Sequence, residues 1–183
     1  MMLRPPTVRI VISGPESSGK TTLASQLSDT LEVPWVPEFA RMYLENLDRD
    51  YVQSDLLEMA KGQLALEKAE LDKKPPLLLC DTDLLTFKIW SEVKYGQVDP
   101  FIQTEWLASD CHGYLLCKPD IPWEEDPMRE SPYDRDSLFD QHVKALTNSG
   151  KRFEVISGEG QRNRLIAAME IIAKWLNAAP ITS

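Results

Sequence analysis

The sequence has little that would tie the protein to a membrane, an oxidising compartment or nucleic acid. No apolar run approaches the roughly 20 residues that span a bilayer, and residues 1–6 lack the apolar stretch of a signal peptide. Three cysteines cannot all pair within one chain, and Cys80 and Cys117 lie in apolar runs typical of buried thiols. The net charge of −9 argues against a nucleic-acid-binding surface, which is usually basic. We therefore expect a cytoplasmic protein without membrane or nucleic-acid partners.

The most informative feature that the sequence does contain is a phosphate-binding loop. Residues 14–21, Gly-Pro-Glu-Ser-Ser-Gly-Lys-Thr, match the P-loop pattern G-x-x-x-x-G-K-[ST] at every fixed position. A strand-like run precedes the loop and a helical pattern follows it, as phosphate binding at a helix N-terminus requires. Lys20 is expected near the β- and γ-phosphates and Thr21 on Mg²⁺. We predict that ATP and Mg²⁺ bind here, with nucleotide contacts from Gly14, Glu16, Ser17, Ser18, Gly19, Lys20, Thr21 and Thr22.

Strand-like apolar stretches alternate with helical patterns along the chain. One helical pattern covers residues 54–71, with Ser54 as a plausible N-cap, and another lies near the end. The alternation predicts an α/β fold of the P-loop NTPase class, with a mostly parallel sheet flanked by helices in one domain over residues 1–183. The five predicted strands are Thr7–Ser13, Val33–Pro37, Leu77–Asp81, Gly113–Cys117 and Phe153–Ser157. The helix residues expected in the core are Leu57, Ala60, Leu64 and Leu71, and then Leu165, Met169, Ile172 and Leu176.

Two carboxylates are predicted at the carboxyl ends of strands, where parallel sheets bind ligands. Asp81 ends one strand and is expected to hold Mg²⁺ near the P-loop. Glu38 follows another strand, and a carboxylate there can accept a proton from a substrate hydroxyl or orient that hydroxyl for attack on the γ-phosphate. Asp83 is open to two interpretations, a cap of the next helix or a substrate contact. Arg41, one helical turn after Glu38, can pair with it or contact an anionic substrate.

Residues 118–136 form a proline-rich, charged segment that is too long and too polar for a simple turn. Segments of this kind often cover active sites, and we expect a lid here. Arg129 and Arg135 would bring positive charge to the transferred phosphoryl group. The alternative is that these arginines only balance the charge of an acidic loop.

Several further residues are candidates for contact with a planar base. Trp123 in the expected lid could stack on such a base, as could Trp90 and Tyr95, although aromatic side chains more often serve packing. The turn after the last predicted strand leads into Gln161 and Arg162, which are expected to contact adenine. A plain connection between strand and helix is the alternative for that turn.

Together these motifs resemble the kinase domain of the NadR family, the ribosylnicotinamide kinases. The resemblance runs from about Arg9 to Leu176, and the segments that carry it are residues 14–22, 36–41, 80–86 and 120–124. The Asp-Thr-Asp run at 81–83 and the Asp-Ile-Pro-Trp run at 120–123 are much more specific than the P-loop alone.

The resemblance implies a nucleoside-kinase-like fold and ATP-dependent phosphorylation of the 5′-hydroxyl of nicotinamide riboside, giving nicotinamide mononucleotide. By motif position, it implies roles in ATP, metal, ribose and phosphate contact for Lys20, Thr21, Glu38, Asp81, Arg129 and Arg135. The sequence has no H-x-G-H-like nucleotidyltransferase signature, so we expect a kinase alone.

Two other interpretations stay open at this point. One is a kinase for another nucleoside or a nucleoside monophosphate, and the other is a regulatory module that binds and slowly hydrolyses ATP. The sequence leaves open which of Glu38 and Asp81 positions the hydroxyl, and it leaves the oligomeric state open.

Overall fold

The computed structural model describes residues 6–126 and 134–177, in which five strands alternate with helices. The strands are β1 (Val8–Ser13), β2 (Trp35–Val36), β3 (Leu77–Asp81), β4 (Gly113–Cys117) and β5 (Phe153–Ile156). The helices are α1 (Lys20–Leu31), α2 (Phe39–Glu45), α3 (Gln53–Leu71), α4 (Leu84–Tyr95), α5 (Pro100–Ala108), α6 (Arg135–Ser149) and α7 (Gln161–Asn177). None of the helices within these residues is long and apolar enough to cross a membrane.

The sheet is fully parallel, which confirms the predicted fold class. Its strand order is β2-β3-β1-β4-β5, so β1 lies in the centre with β3 on one side and β4 on the other. Parallel sheets bind ligands where the strand order reverses, beyond the carboxyl ends of the strands. The register places Ile12 opposite Asp81. The P-loop and Asp81 therefore leave the sheet side by side at this reversal.

The two faces of the sheet carry separate cores because successive strand residues point to opposite sides. Helices α1 and α7 pack on a face that includes Ile10 and Ile12. Helices α3 to α6 pack on the other face, which includes Val11 and Leu116. Cys80 and Cys117 are buried free thiols, as the sequence predicted. β2 is shorter than predicted because Pro34 and Pro37 flank it and cannot donate to a sheet ladder.

The predicted core face of α3 is partly wrong: Ala60 is buried as predicted, but the other buried positions are displaced by about one residue. The helix begins at Gln53 with Val52 at the N-cap, not Ser54. Leu57, Leu64 and Leu71 are only partly buried. The buried residues of α3 are Asp55, Leu56, Met59, Ala60, Gln63 and Glu67, so its buried face is partly polar. The spacing of apolar residues cannot predict which side of α3 is buried, because that side includes Gln63 and Glu67, whose polar partners lie inside the protein.

The predicted core face of α7 is also partly wrong. Ile172 is buried as expected, but Leu176 is 47% exposed. Arg164 takes a place on the buried face together with Ala168 and Trp175. As in α3, a hydrogen-bonded polar side chain lies on the buried face, here Arg164 in place of the predicted Leu165.

Candidate active site

The P-loop joins β1 to α1 and is shaped by two glycines with positive φ. Gly14 has a φ of 143°, and a Cβ there would lie 2.5 Å from the carbonyl oxygen of Cys117 in the neighbouring strand. Gly19 has a φ of 81° and is the N-cap of α1. Ser18 Oγ and Lys20 Nζ both donate to the Pro15 carbonyl oxygen, at 2.7 and 2.8 Å. The loop therefore folds around a helix N-terminus, whose unpaired N–H groups and positive dipole end attract phosphate.

Asp81 lies beside the P-loop and contacts Thr21. Thr21 Oγ1 donates to Asp81 Oδ2 at 2.6 Å, and Asp81 Oδ1 is buried with no hydrogen-bond partner among the described residues. Burial raises the pKa of Asp81 to about 6; the negative charge of Glu38 adds to the rise and Lys20 opposes it. A hydroxyl and a carboxylate oxygen with unused acceptor capacity are ligands that suit Mg²⁺.

The Thr21–Asp81 pair fits a Mg²⁺ ion that arrives with a nucleotide rather than a metal held by protein alone. Mg²⁺ is usually bound through one or two carboxylates plus substrate phosphates. Residues 6–126 and 134–177 contain no cluster of three or more His, Cys, Asp or Glu side chains that could hold a metal ion.

Glu38 is the N-cap residue of α2, directly after the short strand β2. Its side chain makes no capping hydrogen bond to α2, and it lines a cavity in front of the P-loop. Arg41 lines the same cavity, and its Nη2 donates to Asp126 Oδ2 at 2.9 Å. Arg41 therefore forms its ion pair with Asp126 of the 118–126 segment.

The cavity has a volume of about 340 Å³ and brings together most of the predicted residues. P-loop and α1 residues from Gly14 to Leu23 line its phosphate side. We call the lining residues on and around α2 and α4 the acceptor wall: Glu38, Ala40, Arg41, Leu44, Thr86 and Trp90. A third group of lining residues comes from the 118–126 segment, α1 and α7: Ile121, Pro122, Glu124, Gln26, Gly160, Gln161 and Arg164.

The acceptor wall shows what sequence reasoning could and could not find. Glu38, Arg41 and Trp90 were candidates because carboxylate, guanidinium and indole groups carry recognisable chemistry. Ala40, Leu44 and Thr86 gave no comparable signal. Apolar or small residues on a helix indicate burial, and the pattern does not distinguish a core from a cavity.

Asp83 lies away from the cavity and caps α4. Its Oδ1 accepts from Leu85 N–H at 3.0 Å and its Oδ2 accepts from the Tyr114 hydroxyl at 2.6 Å. Arg9 Nη2 lies 3.8 Å from Asp83 Oδ2, and Asp83 is only 1% exposed. Of the two interpretations that the sequence left open, the geometry matches the helix cap, because both oxygens already have buried partners.

The described ends of the 118–136 segment are attached to the P-loop. Arg135 Nη1 donates to the carbonyl oxygens of Ser17 and Ile121, at 3.0 and 3.1 Å. Glu124 N–H donates to Ser17 Oγ at 3.0 Å, and the Trp123 ring centroid lies 5.6 Å from Arg135 Cζ. Neither Trp123 nor Arg135 is among the lining residues found in the described part of the chain. Arg129 lies outside the described residues, and closure of the segment stays a prediction.

Arg164 is a site residue that sequence reasoning missed. Its Nη1 donates to the Ser18 carbonyl oxygen at 2.6 Å. Its Nη2 donates to the Lys118 and Ile156 carbonyl oxygens at 2.6 and 3.1 Å and to Asp120 Oδ1 at 3.1 Å. One guanidinium thus joins the P-loop to the ends of β4 and β5. No local pattern distinguishes such an arginine from a solvated one on the same helix.

The turn into α7 contributes one of its two candidate residues to the cavity. Gln161 lines it, and Gln26 Nε2 donates to Gln161 Oε1 at 3.2 Å. Arg162 is exposed and is not a lining residue in the described structure. The helix spacing explains the difference, because adjacent helical residues point in directions about 100° apart.

Solved structures with the same fold include several kinases. NadR in complex with NR superposes with a TM-score of 0.82 at 19% identity, over 97% of this chain and 54% of that one. Thymidylate kinase from Ehrlichia chaffeensis gives 0.66 at 18% identity, over 92% and 100% of the two chains. Deoxyadenosine kinase from M. mycoides gives 0.65 at 14% identity, over 91% and 100%. At these identities the likeness establishes a P-loop fold of the nucleoside and nucleotide kinase type.

The chain spans about half the length of the two NadR chains that it matches. No curated protein matches the sequence. The family profile that does match is described as an AAA domain and covers residues 9–163, from the start of β1 to the first turn of α7. By this match over most of its length, the chain belongs to the AAA domain family.

Proposed function

We propose that this protein is a kinase that uses ATP and Mg²⁺ to phosphorylate the 5′-hydroxyl of a nucleoside, with nicotinamide riboside as the first candidate acceptor. The observation that carries the proposal is a single cavity that contains both the P-loop and the acceptor wall. A module that only binds or hydrolyses ATP has no need of a second wall with its own carboxylate and indole. Direct in-line transfer requires both reactants in one such space.

The proposal divides the two carboxylates between two tasks. Asp81 would hold Mg²⁺ with Thr21, and the ion would neutralise charge on the transferred phosphoryl group. Glu38 would accept the hydrogen bond of the acceptor hydroxyl and take its proton. Two observations support this division. Asp81 accepts a hydrogen bond from the P-loop residue Thr21, and Glu38 lines the cavity as part of the acceptor wall.

Positive charge would come from the P-loop and the 118–136 segment. Lys20 follows Gly19 at the N-terminus of α1 and lines the cavity. We propose that Arg135 and Arg129 approach the phosphates when the segment closes, and that this closure excludes water. The contact of Arg135 with the Ser17 carbonyl supports the approach of that residue.

The acceptor wall suits a flat ring attached to a ribose. Trp90 lines the wall, and Tyr51 packs behind it with ring centroids 6.4 Å apart and planes 29° apart. An indole face attracts planar rings, and it attracts cationic ones most strongly. Nicotinamide riboside carries a pyridinium ring with a positive charge, and Glu38 on the same wall adds an anion. One of the NadR structures that share the fold contains NR, which supports the same choice.

The second candidate function is phosphorylation of a nucleoside monophosphate. Arg41 on the acceptor wall is the specific observation in its favour, since a second phosphate would need a cation there. The thymidylate kinase that shares the fold supports the same candidate. Against it, Arg41 is already paired with Asp126. A regulatory module that binds and hydrolyses ATP is the third candidate.

ADP release with MgATP and a panel of nucleosides and nucleoside monophosphates tests the proposal. We expect stimulation by nicotinamide riboside, with its monophosphate as the product. Stimulation by a different nucleoside would replace the acceptor and keep the reaction. Stimulation by a monophosphate alone would establish the second candidate. Tight ATP binding without stimulation by any compound would contradict the kinase proposal and favour the regulatory module.

A further inference from the structure

We propose that Gln63 and Gly62 of α3 position Glu38 for phosphoryl transfer, an inference that rests on the proposed function. Glu38 lies between β2, which has two residues, and α2, which has seven. Such short elements make few hydrogen bonds of their own. The placement of the Glu38 carboxylate therefore depends on what holds α2 in place from outside.

Gln63 binds the N-terminus of α2 from the neighbouring helix. Its side chain is fully buried, and its Oε1 accepts a hydrogen bond from Phe39 N–H at 2.8 Å. This N–H belongs to the peptide bond between Glu38 and Phe39 and is one of the four that lack a partner inside a helix. An N-cap side chain usually accepts from the N–H of the second or third helical residue, and Phe39 is the first. Gln63 gives the Phe39 N–H a partner from α3, and the Glu38 carboxylate, which makes no capping hydrogen bond, lines the cavity.

Gly62 allows α2 to lie directly on the backbone of α3. A Cβ at Gly62 would lie 2.1 Å from Cε1 of the Phe39 ring, and two more ring atoms would lie within 2.4 Å. Glycine disfavours a helix interior, and the position has no left-handed backbone that would require it. The space for the Phe39 ring is therefore what the glycine provides. Phe39 is held by its ring and by its amide, and these contacts fix the peptide that carries Glu38.

The same face of α3 connects this anchor to the strand that leads into the P-loop. Glu67, one helical turn after Gln63, pairs with Arg9 of β1 at 2.7 Å, and both side chains are buried. Helix α3 thus contacts the Glu38–Phe39 peptide through Gln63 and β1 through Glu67, and it joins the two. Alignment of a nucleophile with the γ-phosphate requires this kind of fixed distance.

A double-mutant cycle separates positioning of Glu38 from a general structural role. Gln63→Met removes the acceptor and keeps the volume, and we expect kcat to fall by about 100-fold, as for a reactant misplaced by about 1 Å, with the KM for MgATP nearly unchanged. If Gln63 acts through Glu38, adding Gln63→Met to Glu38→Gln gives little further loss. Losses that multiply in full would overturn the inference. Tyr43→Phe is the matched control, because the Tyr43–Asp55 hydrogen bond joins the same helices one turn away from the Glu38–Phe39 peptide, and we expect its kcat to stay near wild type.

Two further measurements keep the test informative if Gln63→Met is unstable. Gly62→Ala should lower kcat, and Gly62→Ala combined with Phe39→Leu should recover much of it, because the smaller side chain makes room for the new Cβ. Failure to recover would count against the inference. A crystal structure of Gly62→Ala should show Glu38 displaced from the acceptor wall, and an unmoved Glu38 would overturn the inference whatever the acceptor is. An inactive Glu38→Gln with a normal Gln63→Met refutes only the inference, whereas a fully active Glu38→Gln refutes the role proposed for Glu38 itself.

Discussion

The two faces of the sheet differ in the residues that they bury and in the part of the proposed site that they support. The face covered by α1 and α7 has an apolar core around Ile10, Ile12 and Leu115, beside which Arg164 of α7 is also buried. The face covered by α3 to α6 has buried polar groups among its hydrophobic residues, including Arg9 and Glu67. The first face supports a P-loop whose sequence pattern lies in eight consecutive residues. The second supports Glu38 and α4, whose positions depend on contacts between distant parts of the chain.

The two halves of the proposed site therefore differ in their sensitivity to substitution. A phosphate-binding loop at a helix N-terminus presents its own backbone N–H groups to phosphate. The acceptor side needs particular hydrogen bonds, and a buried polar group that loses its partner is costly. Substitutions on the acceptor side should therefore affect folding more than substitution of the half-buried Lys20 does.

The largest effect on the phosphate side should come from Lys20→Ala. We expect kcat for phosphoryl transfer to fall by at least about 100-fold, because charge on the phosphates loses its nearest cation. The unfolding temperature should stay close to wild type, since Lys20 donates only to a loop carbonyl in its own P-loop. Steady-state kinetics with thermal unfolding measures both quantities. Lys68→Ala, at a lysine that is 75% exposed on α3, is the control, and an active Lys20→Ala would contradict the P-loop assignment.

The largest effect on the other face should come from Arg9→Met. Removing one member of a buried ion pair destabilises a protein by about 4 kcal/mol, because the remaining charge has no partner. Arg9 contacts Glu67 at 2.7 Å and lies 3.8 Å from Asp83. Urea unfolding would measure the loss. Replacing Glu67 with Met in addition should restore part of the stability, and no restoration would show that the pair is not the cause.

The contrast also explains how much the sequence could predict. Local patterns predict the P-loop, four of the strands and the position of Asp81 at the carboxyl end of β3. These predictions match the fold. Gln63, Glu67 and Arg164 were missed because each is a polar residue on a helix that is buried only by partners far away in the chain. Periodicity assigns such residues to the solvent face, and the predicted core faces of α3 and α7 were shifted for that reason.

A third prediction concerns pH and His142, which is buried on the polar face. Burial lowers the pKa of His142 to about 4; the charge of Lys20 adds to this and a hydrogen bond to the Leu138 carbonyl opposes it. The unfolded chain, with an ordinary histidine pKa of about 6.5, binds a proton between these values and the folded protein does not. Stability should therefore fall as pH drops from about 6.5 to about 4, by up to about 3 kcal/mol from this residue.

His142→Gln isolates that contribution from the other titrating groups. Burial raises the pKa of Glu67 to about 7, against the opposing effect of Arg9. Protonation of Glu67 therefore favours the folded state as pH falls, which is opposite in sign to His142. The difference in unfolding free energy between wild type and His142→Gln cancels the Glu67 contribution. That difference should change only between about pH 6.5 and about pH 4, where the unfolded and folded states differ in the protonation of His142. A difference that stays constant with pH would show that His142 is not buried in its neutral form.

The smallest effect should come from the ion pair between the acceptor wall and the 118–126 segment. Arg41 and Asp126 lie 2.9 Å apart, but the Arg41 side chain is 45% exposed. Exposed pairs contribute at most about 1 kcal/mol and are screened by salt, so Asp126→Asn should change the unfolding free energy by less than that. Its effect should disappear in 1 M salt, whereas the effect of Arg9→Met should persist because water and ions do not reach the buried pair. A loss for Asp126→Asn as large and as salt-independent as that for Arg9→Met would mean that this pair, too, supports the acceptor side of the fold.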